Sequence, residues 1–483
     1  MNSRHDGFDI CVVGAGPAGM AAAVHGAESG ARVVLIDASE SIGGQFWRHR
    51  GDVLSPPSLY HDADRFQSLV VRVEALVRGR RLTHLRNHHV WTLSASSEGC
   101  LVRSLDRGGT GQPAETSVVS RRLVLATGAF DRQIPFPGWD LPGVIAIGGL
   151  QALLKGSGVV AGPRVVVAGT GPFIVAAAAG LVSQGGHVIR IHDANHPRNW
   201  AWHARAVVSA ADKLREASEY AAILGNSRVP ISHRSMVITA EGTDRLERVT
   251  TAKLRPDGSV RPGTEHTVDA DVLAVGWGFV AQLELPIAAG CEIGAARDGS
   301  PVTIVDRDQR TTNDVVFAAG ELTGIGGAAL ASVEGAIAGI AAAGSLGIAN
   351  DSLLGRVPAF ERKRTSGRRF ASALDDVYPV PAAWPGVLTD ETVICRCEEV
   401  SYAEVKQAVT LGAHDVRTAK LLSRAGMGWC QGRMCSFALE RILPDPKRAV
   451  PDVRSGLERA IAWPVSLGSL ASDPEVPPCE QHA

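Results

Sequence analysis

The apolar positions of the chain fall twice into the same pattern. Asp9–Val13 is a short apolar run of the kind that forms a buried parallel strand. Pro17–Ser29 is an Ala-rich stretch of helical length, and Arg32–Ile36 is a second apolar run. The order predicts strand, helix, strand. Arg164–Ala168, the stretch up to Gly186, and His187–His192 repeat it. Between the two units, residues 65–125 alternate, which predicts short strands such as Val70–Val73 and Leu101–Arg103 and a turn at Asp106–Gly111. Leu123–Ala126 is a further buried strand. Pro135, Pro137, Pro142 and Gly143 mark a connection between domains. Val229–Val275 is expected to form a β-meander closing the second unit. Val315–Ala318 is a late buried strand followed by a Gly/Ala-rich helix.

The turns of these units carry chemistry. Gly14, Gly16 and Gly19 have the spacing GxGxxG between strand and helix. Gly14 permits the turn, Gly16 lets backbone approach a pyrophosphate, and Gly19 lets helix pack on strand. Pro17 and Ala18 open the helix, whose N-terminal N–H groups and dipole face the phosphates. Asp37 ends the second strand, where a carboxylate accepts hydrogen bonds from a ribose. Gly43, Gly44 and Gln45 form the next loop, which would run along a dinucleotide toward its reactive ring. Thr127-Gly128 is a small turn able to approach the same ligand. Glu321, after Gly320 at the end of the late strand, can accept from a ribityl or ribose hydroxyl. In the second unit Gly169 and Gly171 are present, but Ile174 holds the third glycine position. His192 is expected in register with Asp37, with Asp193 one further on. NAD(P), another adenine nucleotide such as ATP, or no ligand remain open for this site.

Composition narrows the class. With 483 residues, 45% apolar, 20% charged and net charge −1, the chain has ample core and no electrostatic footprint for nucleic acid. The first strand follows the polar MNSRHDG at once, leaving no room for a secretory h-region. Val165–Val182 and Ile325–Ala349 imitate membrane spans, but glycines, Pro172 and Glu334 interrupt them. A cytoplasmic protein without a transmembrane segment is expected, with peripheral attachment to the inner face of a membrane left open.

Four of the eight cysteines cluster late, as Cys395 and Cys397 in CRC and Cys430 and Cys435 in CQGRMC. Residues i and i+2 of an extended segment project to one side. Cys430 and Cys435 lie about a turn apart on a loop entering a helix, with Arg396 and Arg433 nearby to favour thiolates. Four such thiolates suit a [2Fe–2S] cluster or structural zinc. No CxxC pair occurs anywhere in the chain, which argues against disulfide reduction.

Gly14/Gly16/Gly19 with Asp37, ATG at Ala126–Gly128, the second GxG, and AAGE at Ala318–Glu321 together resemble the two-dinucleotide flavoproteins of the glutathione reductase and thioredoxin reductase class. The late motif departs by carrying Glu321 where that class usually has Asp. CRCEEV and AGMGWCQGRMC resemble the bacterioferritin-associated-ferredoxin-like domain, which shifts the cysteines from zinc to [2Fe–2S]. Joined, the parts resemble the α subunits of heteromeric flavin dehydrogenases: hydrogen cyanide synthase, opine oxidases, and proline or hydroxyproline dehydrogenases. The resemblance implies an α/β fold with two Rossmann-like domains, the second inserted in the first, plus a small helical C-terminal domain. Its divisions would be 1–150 with 295–350 for FAD, 155–290 for the insert, 351–388 as a helical connection, 389–450 for the cluster and 451–483 as a C-terminal arm. It further implies FAD and [2Fe–2S], with FMN at a subunit interface in some members. An amino-acid-oxidase-like β subunit, sometimes with a small γ subunit, would oxidise the substrate, while an acceptor would take the electrons.

The chain offers no convincing substrate base; His88, His89 and His203 are candidates by type alone. The main reading is an electron-relay subunit. The others are a self-sufficient NAD(P)H-dependent reductase of a protein acceptor, and a scaffold with a structural nucleotide.

Overall fold

A computed structural model of the chain describes residues 3–50, 62–109, 113–208, 211–443, 459 and 461–471. Its first sheet is built from β1 (Ser3–Val13), β2 (Val33–Ile36), β3 (Leu82–Leu85), β4 (His88–Ser96), β5 (Gly99–Asp106) and β6 (Ala114–Leu125). The order is β3-β2-β1-β6-β5-β4, and Val316–Ala318 pairs with β6 as the seventh strand. β1 runs parallel to β2 with Val13 opposite Ile36, and parallel to β6 with Val13 opposite Leu125. Helix α1 (Pro17–Glu28) crosses between β1 and β2. The Gly/Ala-rich helix Ala328–Gly344 lies on α1 at backbone contact: a Cβ on Gly335 would stand 2.0 Å from the Ala18 carbonyl oxygen, and one on Gly339 2.2 Å from that of Ala22.

Val70–Val73, expected as a strand, lies inside helix α2 (Ala63–Arg78). Its buried residues are Phe66, Leu69 and Val73, a helical spacing that the local Val-Val pair disguised.

The second sheet is wholly parallel, in the order Ile231–His233, Val188–Asp193, Val165–Gly169, Val272–Gly276, Val144–Ala146. Two expectations change here. Val144–Ala146 belongs to this sheet although it precedes residue 155. The expected meander is three antiparallel strands, Ser235–Glu241, Arg248–Lys253 and His266–Asp269, after which Val272–Gly276 returns to the parallel sheet. Its apolar run VLAVG, four of five residues buried, suits a strand covered on both faces. The two crossings between the sheets, Ala129–Asp131 and Phe279–Ala281, run side by side as an antiparallel pair.

Helix Val357–Val377 leads to the C-terminal part. There a hairpin, Val393–Cys395 with Val400–Ser401, precedes helices Tyr402–Thr410, Val416–Ser423 and Ser436–Ile442. Ser401 and Glu404 form a capping box on the first helix, and Asp415 caps the second. Ile394, Val405, Ala419 and Leu439 make its core. The part is fastened to the second sheet's layer by Trp139, whose Nε1 donates to the Val393 carbonyl at 2.6 Å. Of the C-terminal arm, Ala462 N–H donates to the Trp91 carbonyl at 2.7 Å. The stretch from Pro446 to residue 458 and the terminal PPCEQHA lie outside the described residues. Among the described residues no helix is long and apolar enough to cross a membrane.

Candidate functional site

One cleft of about 1910 Å³ runs between the two sheets and reaches the cysteine-bearing part. Gly14, Gly16, Pro17, Ala18, Asp37, Gly44, Gln45, Thr127, Gly128 and Glu321 all line it. Gly19 lies behind them. A Cβ there would stand 1.6 Å from the Gly14 carbonyl oxygen, so only glycine lets α1 start this close to β1. Gly14 itself has φ +101°, and a Cβ would meet the Ala126 oxygen at 2.3 Å. The N-terminus of α1 has no side-chain cap, so its first-turn N–H groups face the cleft unshielded. Asp37 Oδ2 accepts from Ala15 N–H at 2.5 Å and Oδ1 from Ser39 N–H at 2.7 Å, which fixes its carboxylate at the mouth. Burial raises its pKa, and the two backbone donors oppose that. Unshielded helix donors, a fixed acid and a glycine-lined floor are the donor set that a dinucleotide requires.

The remaining first-unit residues brace this floor. Gly43 N–H donates to the Ala15 carbonyl at 2.8 Å, tying the Gly44-Gln45 loop to the glycine turn. Gln45 Oε1 accepts from Arg48 at 2.6 Å. Thr127 Oγ1 donates to the Gln282 carbonyl at 3.3 Å, across the sheet boundary. Glu321 accepts from Gly326 and Gly327 N–H at 3.1 and 2.8 Å, so its carboxylate holds the turn into the Gly/Ala-rich helix. Burial pushes its pKa up to about 6. Gly320 N–H donates at 3.1 Å to Glu334, a residue that sequence reasoning treated only as an interruption of an apolar run. Glu334 is 0% exposed, and Arg368 Nε donates to its Oε1 at 2.7 Å. Arg368 also donates to the Gly324 carbonyl and to Thr323. A lone acid in a Gly/Ala helix was the available signal; its partner, 34 residues on, was not.

The second unit differs from expectation in register. Val188 pairs with Val165 but Arg190 pairs with Val166, so Ile189 is an extra residue in the strand. His192 therefore faces Ala168, and Asp193 faces Gly169. Asp37, one past the Ile36–Val13 pair, takes the same place beside Gly14. Asp193, not His192, is the counterpart of Asp37. It repeats the local bond, accepting from Asn195 N–H at 2.9 Å, and burial pushes its pKa up to about 7. Gly171 lines the cleft, but Asp193 is only 4% exposed and does not. Asn195 donates to Thr170 Oγ1 at 2.6 Å and to the Pro379 carbonyl at 2.9 Å, and Thr170 donates to the Tyr378 carbonyl at 3.3 Å. The chain's own Tyr378–Pro379 segment is thus tied to Thr170 and Asn195 beside Asp193. A Cβ on Gly169 would stand 1.8 Å from the Gly276 oxygen, so this glycine serves close strand packing.

Two further groups line the cleft. Burial pushes Asp131 up to about 6, its Oδ1 accepting only from Gly148 N–H at 3.2 Å among the hydrogen bonds described. Lys155, on a single π-helical turn, is lowered by burial to about 8 and donates to the Phe46 carbonyl at 3.2 Å. Of the histidines, His88 and His89 line the cleft and His203 faces Asp376 at 3.7 Å.

The four late cysteines come together as two pairs. Cys435 donates to Cys395, which holds the Cys395 thiol down at about 6 against the opposing effect of burial and drives Cys435 up. Gly426 N–H also donates to Cys395 Sγ at 3.5 Å. Cys397 and Cys430 form the other pair. A Cβ on Gly428 would stand 2.3 Å from the Cys397 Cβ, so the GMGWC turn lies directly on that ligand. Among the described residues no group of three or more His, Cys, Asp or Glu side chains is set to hold a metal ion. Two thiol pairs, one buried and one reaching the surface, fit the four-thiolate donor set of a binuclear cluster.

Residues 8–339 match the pyridine nucleotide-disulphide oxidoreductase family, and residues 393–445 match the BFD-like [2Fe–2S] binding domain. The chain belongs to this family of oxidoreductases, with FAD and a [2Fe–2S] cluster as the cofactors of its two parts. It is 32% identical over 438 residues to the hydrogen cyanide synthase subunit HcnB of Pseudomonas protegens, covering 88% of this chain and 89% of that protein. It is 31% identical over 484 residues to one of the opine oxidase subunits of Agrobacterium tumefaciens, covering 97% and 92%. The fold is shared with L-proline dehydrogenase from P. horikoshii, with a TM-score of 0.68 at 20% identity over 97% of this chain and 80% of that one. The relatives' names describe subunits, so the family to which this chain belongs includes parts of heteromeric enzymes.

Proposed function

We propose that the chain is the electron-relay α subunit of a heteromeric dehydrogenase. A partner β subunit of amino-acid-oxidase type oxidises the C–N bond of an amino acid, opine or imino acid, and a small γ subunit completes some assemblies. In this reading the first sheet and the Gly/Ala-rich helix hold FAD through Gly14, Gly16, Asp37, Gln45, Thr127 and Glu321, around an insert that takes in Val144–Ala146. Residues 389–450 hold the cluster through Cys395, Cys397, Cys430 and Cys435. FAD supplies two-electron chemistry and [2Fe–2S] one-electron chemistry, so the pair converts one into the other. The carrying observation is that a residue of the cysteine loop, Arg433, lines the same cleft as Gly14 and Asp37.

This chain's residues bind and orient. Asp131, Glu321 and Asp375 are the cleft carboxyls that burial pushes up to about 6. One observation favours the second reading, an NAD(P)H-dependent reductase: Asp193 stands where a ribose acid belongs. The Tyr378–Pro379 segment tied beside it through Asn195 favours the relay.

The test is anaerobic mixing of the purified holoprotein with NADH and with NADPH. The relay reading expects the flavin band to persist for minutes, and to bleach together with appearance of the reduced-cluster signal when the complete complex meets its substrate. Bleaching within the first second by either nicotinamide would replace it with the reductase reading.

A further inference from the structure

The two cofactor parts meet at one side chain. Arg433 lies inside the ligand loop, between Cys430 and Cys435, and its Nη1 approaches the Cys430 carbonyl at 3.4 Å. Its Nη2 reaches the other way, 2.8 Å from Glu284 Oε1 and 2.8 Å from the Ala462 carbonyl. Its guanidinium lies over the Trp463 ring at 5.1 Å. Glu284, Ala462 and Trp463 all line the flavin cleft. The pair is sheltered, with Arg433 14% and Glu284 7% exposed. A second arginine backs the loop: Arg459 Nη2 stands 3.0 Å from where a Cβ of Gly432 would be. Arg433 and Glu284 thus face the cleft, with Arg459 standing behind the ligand loop. On the outer side Cys397 is exposed, and the nearby cation Arg424 is 70% exposed and paired with Glu398 at 2.8 Å.

A four-thiolate [2Fe–2S] centre is anionic and gains one more negative charge on reduction. A buried cation favours the reduced form far more than a solvated one, because screening is weak inside the protein. The geometry points to Arg433, with Arg459 behind it, as the positioning residue that joins the flavin cleft to the iron–sulfur centre and raises that centre's reduction potential. This rests on the relay reading for its purpose, though not for its measurement. With both cofactors bound, each transfer would oxidise the reduced flavin by one electron and reduce one ferric site of the centre. The proton released by the flavin would pass to solvent, and an external one-electron acceptor would take the electron onward.

The experiment is a dithionite titration of the holoprotein followed by electron paramagnetic resonance, on wild type, R433Q, R459Q, R433K and R424Q. R433Q is expected to lower the reduction equilibrium of the centre about tenfold, which is about 59 mV for one electron. R459Q is expected to act in the same direction and less, R424Q hardly at all. R433K keeps the charge but not the two-sided fork. It is expected to hold the potential while slowing flavin-to-centre transfer after rapid photoreduction of the flavin. An unchanged potential in R433Q with an intact centre overturns the inference, as does an equal shift in R424Q. Should R433Q fail to assemble the centre, an unchanged transfer rate in R433K overturns it instead. A wild-type protein holding no iron would sink the relay reading itself, an outcome distinct from either.

Discussion

Arg368 grips the carboxylate of Glu334, with its Nε 2.7 Å from Oε1, at the point where the late strand turns back toward the first glycine motif. The acid is fully buried and also receives Gly320 N–H and Thr323 Oγ1. Removing the arginine leaves a carboxylate without its charge partner. We expect R368A to lose about 3–5 kcal/mol of stability and to release its flavin, measured by denaturant unfolding and by flavin retained on gel filtration. E334Q combined with R368M, which removes both charges, is expected to lose less.

Asp131 carries a pH dependence of known sign. Its folded pKa is raised to about 6 from 3.8, with burial as the cause. The folded state therefore binds the proton more tightly than the unfolded one, and the group's stabilising contribution is present at low pH and lost as pH rises through about 6. D131N should be the more stable form at pH 8, by up to about 3 kcal/mol, and should match wild type near pH 4. Urea unfolding at the two pH values decides it; a D131N protein less stable than wild type at pH 8 would contradict the assignment.

Asp37 has both oxygens tied to backbone, at Ala15 and Ser39, and faces the cleft. Removal of a charged acceptor for a ribose hydroxyl costs about 1.5–3 kcal/mol. D37A is expected to weaken FAD binding about tenfold to a hundredfold, read by fluorescence recovery on dilution. D193A, in the second unit beside Asn195, is expected to leave flavin content untouched.

The thiol pairs act as one unit. C395S and C397S should each reduce iron and acid-labile sulfide to background, although one sulfur is buried and the other exposed. Both should keep flavin, because the first sheet draws no strand from the cysteine part. Loss of flavin together with iron in both variants would mean that the two parts fold as a single unit.

Much of the first unit was legible because its signals are local. Gly14, Gly16 and Gly19 fall within six residues, and Asp37 follows at the end of a strand with no bulge. The four cysteines were legible for the same reason, but not their partners: Cys395 pairs with Cys435 and Cys397 with Cys430, across the intervening helices, and not each with its sequence neighbour. Helix α2 was not, because Val70-Val71 and Val73 give a strand-like composition while the burial of Phe66, Leu69 and Val73 is helical. Nor was the register of the second unit, since the extra residue Ile189 shows only in the pairing of Val188 and Arg190. Asn195 and the Tyr378–Pro379 segment lie far apart along the chain, and Glu334 and Arg368 are on different helices. Contacts of that kind leave no periodicity to follow.

The side-by-side crossings at Ala129–Asp131 and Phe279–Ala281 have a consequence for biogenesis. Val316–Ala318 pairs with β6, and the Gly/Ala-rich helix that seals α1 follows it. On the ribosome the first sheet emerges early yet stays unsealed until some 200 further residues have been made. The second sheet draws all its strands from the continuous stretch 144–276. Flavin capture is thus a late event of synthesis, and a ribosome stalled before Val316 would display a finished insert beside an exposed, unsealed nucleotide fold.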